Sequence, residues 1–243
     1  MDLSLRNHPN YAYFREAWGQ ALPIVFGYLP IGFAFGVLAI KAGISAANTL
    51  AMSLLVYAGS AQLIAVGLIS AGVSPWATIL TTFVVNLRHL LMSAALSPYL
   101  RGWPRSLLAL FAFELTDESF AVHSTRFARL QSQQESPKPA TALTINLISQ
   151  LAWVLGTLLG IVAGDLIQDV RPFGLDYALI AMFAALLVFQ VKDHVYIIVA
   201  GFAGLASTAL LLTGVSQWNV MIAAVVAATL GVALESWIKR QSS

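Results

Sequence analysis

The sequence predicts an all-α polytopic membrane protein, a bundle of about eight transmembrane helices with the N- and C-termini in the cytoplasm. Three observations carry this reading. Apolar residues make up 58% of the 243 and charged residues only 10%, against roughly 45–50% and 25% in an ordinary soluble domain. Apolar runs of about 20 residues, the length that crosses a hydrocarbon core of about 30 Å, recur along most of the chain. The basic residues stand singly at the ends of those runs, where they act as topology signals rather than as a nucleic-acid footprint. Cysteine is absent, which removes disulfides, thiolate metal sites and cysteine nucleophiles from consideration. The N-terminal "MDLSLRNHPNYAYFREAW" lacks the apolar core of a secretory signal, so insertion is expected to begin with the first span.

In order, the expected spans are 19–40, 46–72, 75–97, 104–122, 141–164, 174–191, 194–213 and 217–237, within one transporter domain covering residues 1–243. The fourth is the weakest, because "PRSLLALFAFELTDESFAV" starts apolar and then carries Glu114, Asp117 and Glu118. Charge arbitrates. If it spans, Arg6, Arg15, Arg126, Arg129, Lys138, Lys192, Lys239 and Arg240 all face the cytoplasm. Removing it places the stretch from Arg101 to Lys138 on one outer loop, against the positive-inside tendency. Seven spans plus a re-entrant segment at 104–122 is the alternative. Residues 123–140 are expected to be a polar cytoplasmic loop, containing Pro137 and Pro139, between two groups of four helices. Equal halves fit an internal repeat of the transporter kind, although no residue-by-residue match links them. Small residues at four-residue spacing (Gly32 and Gly36; Gly156, Gly160 and Gly164; Ala223, Ala227 and Gly231) mark faces where helices approach closely within one chain.

Polar residues inside the spans carry the functional information. "VYAGSAQ" (56–62) places Gly59, Ser60 and Gln62 in the middle of an apolar stretch, and "YLPIG" places Pro30 at similar depth. Glycine loosens a helix and proline frees the carbonyl four residues back. Irregular backbone at membrane depth is tolerated only against protein or a water-filled cavity, and broken helices recur in secondary transporters. The expectation is a break at Gly59–Ser60 whose exposed backbone donors suit a carboxylate, with Gln62, Asn86 and Pro30 beside it; an ordinary proline kink is the alternative for Pro30. In "NLRHL", Arg88 sits at mid-span, where an unpaired arginine costs about 2.5–3.5 kcal/mol on insertion scales, so it needs a partner or water. His89 shares a face with Asn86. Glu114, Asp117 and Glu118, at i, i+3 and i+4, share a face of the fourth helix. One arginine cannot neutralise three acids, so at least one carboxylate is available to titrate, as proton coupling requires. Glu114, Asp117, Glu118, Arg88 and His89 are therefore the coupling set.

No catalytic, metal or cofactor site is expected. There is no HExxH or Gly-x-Ser-x-Gly pattern, histidines are too few for zinc, and Ser60 with His89 reads more simply as cavity-lining polar groups than as a dyad. A channel and a purely structural membrane subunit remain as alternatives to a transporter.

The segments "LLVYAGSAQLIAVGL", "VVNLRHLLMSAALSPYL", "ELTDESFAV" and "GLDYALIAMFAALLV", taken together in order and spacing over about residues 20 to 200, resemble the large subunit of the branched-chain amino-acid exporter, the AzlC family. Leu63, after "GSAQ", stands where an aromatic is more usual. The resemblance implies a secondary exporter of valine-like amino acids in the inner (plasma) membrane, paired with a small membrane subunit of the AzlD type.

Overall fold

The computed structural model describes residues 9–167, 177, 184, 187–188, 191, 194–214 and 219–241. Among them every long element is helical. In chain order these are α1 (Pro9–Lys41), α2 (Ala46–Ala51, extended by a π-helical turn over Met52–Val56), α3 (Gly59–Ser70), α4 (Pro75–Leu96), α5 (Arg105–Phe113), α6 (Asp117–Ser132), α7 (Pro139–Leu166), α8 (His194–Leu212) and α9 (Asn219–Gln241). Within the described residues, segments of α1, α4, α7 and α8 are long and apolar enough to cross a membrane. The all-α polytopic class therefore holds. The expected sixth span, 174–191, lies outside the described residues apart from a few isolated positions.

The spine is the pair α1 and α7. A Cβ built on Gly36 would lie 2.4 Å from the Thr157 carbonyl oxygen, and one on Gly160 would lie 2.1 Å from the Phe33 carbonyl oxygen. The two backbones thus touch directly, which only glycine permits. Contacts advance in the same sense along both helices. Lys138 donates to the Tyr13 hydroxyl at 3.1 Å, Ala17 and Ala21 pack with Ile145, and Gly164 meets Ile40. The helices are parallel and start at one end of the bundle. The last small-residue stripe lets the terminal pair pack closely, with Gly231 of α9 against the Val199 side chain of α8.

Two expected spans are not spans. Leu96 at the end of α4 and Leu100 in the 3₁₀ turn just after it pack with Leu130 and with Ala142 in the first turn of α7, and Trp103 Nε1 donates to the Pro137 carbonyl at 3.1 Å. The end of α4 therefore lies where α1 and α7 begin, and α4 runs antiparallel to them. Segment 46–72 leaves from the end of α1 and returns to the start of α4, which is the same end. It is a hairpin, and its arms are tied by Gln62 Nε2 donating to Ser53 Oγ at 3.3 Å. Segment 104–132 is a second hairpin, entering from the opposite end and returning there. The re-entrant alternative for 104–122 thus describes the fold, and 46–72 behaves the same way. α5, at nine residues, is about 14 Å long at 1.5 Å per residue, too short to cross. Arg15, Arg101, Arg105, Arg126, Arg129 and Lys138 now gather at one end with Lys41 at the other, the arrangement the positive-inside tendency favours. Removing one span violates that tendency; removing both satisfies it.

The chain therefore builds a long helix plus hairpin (α1, α2–α3) and then a long helix plus hairpin of opposite sense (α4, α5–α6), an inverted arrangement familiar from transporters. Its unit is three helices, not the expected four. Residues 123–132 are also helical rather than loop. Thr116 caps α6 in a reciprocal box with Ser119, and the buried face of His123, Phe127 and Leu130 holds the helix against its neighbours well past the point where hydropathy falls.

Candidate functional site

The hairpin tips meet between α1, α4 and α7. At the first tip, Tyr57 adopts a left-handed conformation with φ 43°, which is costly for a bulky residue, about 1–3 kcal/mol. Burial to 2% exposure and edge-on packing against the Tyr28 ring at 6.4 Å hold it there. The break falls at Tyr57–Ala58, just before the expected Gly59–Ser60, and α3 begins at Gly59 with no side-chain cap. Its first-turn N–H groups are open to an anion. At the second tip, Thr116 is extended and starts a new helix. Glu114 therefore ends one helix while Asp117 and Glu118 begin another, and the expected shared face of three carboxylates does not form.

A cleft between the tips is lined by residues of both hairpins and all three long helices, including Gly59, Ser60, Arg88, His89, Asp117 and Glu118. Arg88 bridges the tips. Its Nη1 lies 2.9 Å from Asp117 Oδ2 and its Nη2 donates to the Ser60 hydroxyl. The counter-charge that Arg88 needed is Asp117. From the other side, Tyr28 of α1 donates to Glu118 Oε2 at 2.6 Å, with Thr116 Oγ1 at 2.7 Å. Each long helix thus reaches the hairpin of the other unit. His89 Nδ1 donates to the Leu115 carbonyl at 2.9 Å, which fixes the ring and leaves Nε2 buried without a partner. Ser60 and His89 thus bond to Arg88 and to the Leu115 carbonyl and not to each other. Among the described residues no group of histidines and acids could hold a metal ion.

Four sequence candidates lie outside the cleft lining. Pro30 is on the exposed face of α1, and neither it nor Pro23 interrupts that helix; the kink was absorbed within a long helix packed on α7. Gln62 is 1% exposed and its amide serves the chain Gln62, Ser53, Thr157, in which the Ser53 and Thr157 hydroxyls are 2.9 Å apart. Through Nε2 it ties the hairpin to α7, while its Oε1 is buried without a partner. Asn86 and Glu114 each keep a buried oxygen without a partner, but neither lines the cleft. The sequence reading missed Tyr28, Tyr57, Thr116 and Trp153. Trp153 of α7 stacks on Phe35 at 6.0 Å and meets Tyr28 edge-on at 5.4 Å, and its ring lies 2.8 Å from where a Gly59 Cβ would be. Gly59 is glycine because that ring is there.

The AzlC protein family model matches residues 23–167, which contain the spine and both hairpins. The chain belongs to the AzlC family. It is 32% identical over 208 residues to the inner membrane protein YgaZ of Escherichia coli K12, covering 83% of this chain and 84% of that one. It is 29% identical over 209 residues to the branched-chain amino acid transport protein AzlC of Bacillus subtilis 168, covering 86% and 80%. An uncharacterized membrane protein of Archaeoglobus fulgidus is 35% identical over 194 residues, covering 78% and 82%. No solved structure matches. Within this AzlC-family chain, the cleft joins an open helix N-terminus and an arginine on one side to carboxylates and a tyrosine on the other. Groups of both charges therefore meet across one cleft.

Proposed function

We propose that this AzlC-family membrane protein is a secondary transporter that exports branched-chain amino acids of the valine type, coupled to the proton gradient of the inner (plasma) membrane, together with a small membrane subunit of the AzlD type. The observation that carries the reading is the asymmetry of the two hairpin tips. The α3 N-terminus is uncapped and faces Arg88 and Ser60, which suits a carboxylate. The α6 N-terminus is capped and carries two acids in its first turn, which suits an ammonium or a proton. Ile31, Tyr57 and Trp153 offer the apolar wall that a branched side chain needs. A relative named for branched-chain amino-acid transport supports the substrate class.

The cleft has room for little more than water, so on this reading the tips part to admit a substrate. Arg88 holds Asp117 in place of a substrate carboxylate. Entry of an amino acid would break that pair, hand Arg88 to the substrate and leave Asp117 and Glu118 to the ammonium and the proton. Hairpins opening to opposite ends give each side of the membrane its own gate. The faces of α4 and α8 that look outward are almost wholly exposed and are left to lipid and to the small subunit.

Gly59→Leu is the direct test of the cleft. The new side chain would collide with Trp153, and binding of valine is expected to weaken at least about tenfold, or about 1.4 kcal/mol, while insertion is unchanged. Titration calorimetry of the purified protein with valine checks this. Parent-like affinity in Gly59→Leu would place the substrate elsewhere.

A further inference from the structure

A second set of buried polar groups runs from the cleft to the basic end of the bundle, and nothing in the substrate reading uses it. Thr116, Ser119, His123 and Arg126 are spaced by three or four residues along one face of α6, and all are at most 5% exposed. The stripe meets α7 at Asn146, and Thr141 and Ser149 of that helix are, like Asn146, 0% exposed. Polar groups are buried at such density only when they are satisfied or used. Here several are not satisfied. His123 Nδ1, Asn146 Nδ2, Arg126 Nη1 and Thr141 Oγ1 have no hydrogen-bond partner.

The connections have an order. Glu118 Oε2 accepts from Tyr28 at 2.6 Å, Tyr28 Oη lies 2.7 Å from Thr116 Oγ1, and Thr116 Oγ1 lies 3.2 Å from Ser119 Oγ. His123 is one turn further along the same buried face. Its Nε2 donates to Asn146 Oδ1 at 2.7 Å, so Nδ1 carries the free lone pair. Another turn brings Arg126, bound through Nε to Glu16 Oε1 of α1 at 3.0 Å. Glu16, with 40% of its side chain exposed, is where the series reaches solvent.

We propose that this stripe is a proton path between Glu118 and the cytoplasmic end, with His123 as its relay. It rests on the proton-coupled reading above and adds to it the route, which leaves the cleft by Tyr28 and Thr116 and then follows α6. In a transfer, the proton leaves the Glu118 carboxyl and is passed along the three hydroxyls, each giving up its own proton as it takes the next. Ser119 Oγ and His123 Nδ1 stand one helical turn apart without a hydrogen bond between them. The last proton therefore crosses that gap on a mobile water to His123 Nδ1, forming an imidazolium, and is released by the same means to the Glu16 carboxylate, which returns His123 to its starting tautomer. The charged group acting on the ring is Arg126 on its own helix, itself paired with Glu16 from α1; α7 presents neutral Asn146. Phe111 at 5.0 Å and Phe127 at 5.2 Å clamp the ring. Beside Arg126 the imidazolium is a transient species, which is what a relay requires.

The experiment uses purified full-length protein in liposomes with a trapped pH-sensitive dye, following proton movement on addition of valine alongside valine-for-valine exchange. The variants are His123→Phe, which keeps the aromatic clamp, His123→Gln, which keeps a hydrogen bond to Asn146, and Glu16→Gln, which keeps an acceptor for Arg126 at the exposed mouth. The expected result is that proton movement falls at least about tenfold in the His123 variants, and measurably in Glu16→Gln, while exchange continues at the parent rate. Parent-like proton movement in all folded variants overturns the path alone. Equal loss of exchange and proton movement overturns it too, because His123 would then be structural. If the parent exchanges valine without moving protons, the path and the coupled reading fall together; if it does neither, the transport reading itself falls. Should the His123 variants not fold, Glu16→Gln decides by the same two readings.

Discussion

Gly160→Val is expected to leave almost no folded protein. A Cβ at this position would lie 2.1 Å from the Phe33 carbonyl oxygen and 3.0 Å from the Gly36 Cα. An overpacked side chain usually costs about 1–3 kcal/mol because neighbouring side chains can move. Here the obstacle is the backbone of α1, which can yield only if the whole helix shifts. That shift would also pull Tyr28 from Glu118 and Trp153 from Gly59, so spine and cleft would fail together. The measure is the fraction running as a single species by size-exclusion chromatography in detergent, with Gly19→Ala as control, since nothing lies within 4 Å of its Cβ position. A Gly160→Val protein that melts like the parent would show that the α1–α7 contact is not as close as described.

Arg88→Ala should be the most damaging change within the cleft. It leaves Asp117 and the Ser60 hydroxyl without their partner at the point where the hairpins meet. Breaking a buried pair typically costs 3–5 kcal/mol; with 24% and 23% of the two side chains exposed, about 3 kcal/mol is expected, lowered further by solvent screening. Adding Asp117→Asn should recover part of it, with a coupling energy of about 0.5–3 kcal/mol. Adding Glu118→Gln should not, because Glu118 is bound by Tyr28 and not by Arg88. Thermal stability of both cycles in detergent at one pH separates the two acids. Additivity in the Asp117 cycle would mean that the ion pair does not hold the tips together.

The sequence showed the chemistry of the cleft better than its geometry. Arg88 at mid-span demanded a counter-charge and the surplus acids of 114–118 supplied one, because an uncompensated charge in lipid is expensive wherever the helix runs. "YAGS" marked a break because glycine and serine in the middle of an apolar run loosen a helix. Direction was not legible. Hydropathy measures the length of an apolar run and not whether it turns back, so 46–72 counted as a span although its two arms are 11 and 12 residues. A single-segment charge test then defended the wrong topology, since the error lay in two segments at once. Tyr28 and Trp153 were hidden among many aromatics; only the neighbouring Pro30 drew notice, and it faces outward. His123 and Arg126 fell in a stretch polar enough to read as loop, although Ser119, His123, Arg126 and Leu130 already had the spacing of a buried helical face.

The central claim is that an amino acid and a proton share the cleft between the hairpin tips. Its most direct measurement is valine flux into and out of liposomes holding the purified protein, with and without a pH gradient, for the parent and for Asp117→Asn and Glu118→Gln. An amide keeps the shape of the carboxylate but cannot titrate. The account expects a pH gradient to drive net valine movement in the parent, and at least one amide variant to lose that drive while still exchanging valine for valine. Flux that ignores the gradient in the parent, or that follows it unchanged in both variants, would contradict it.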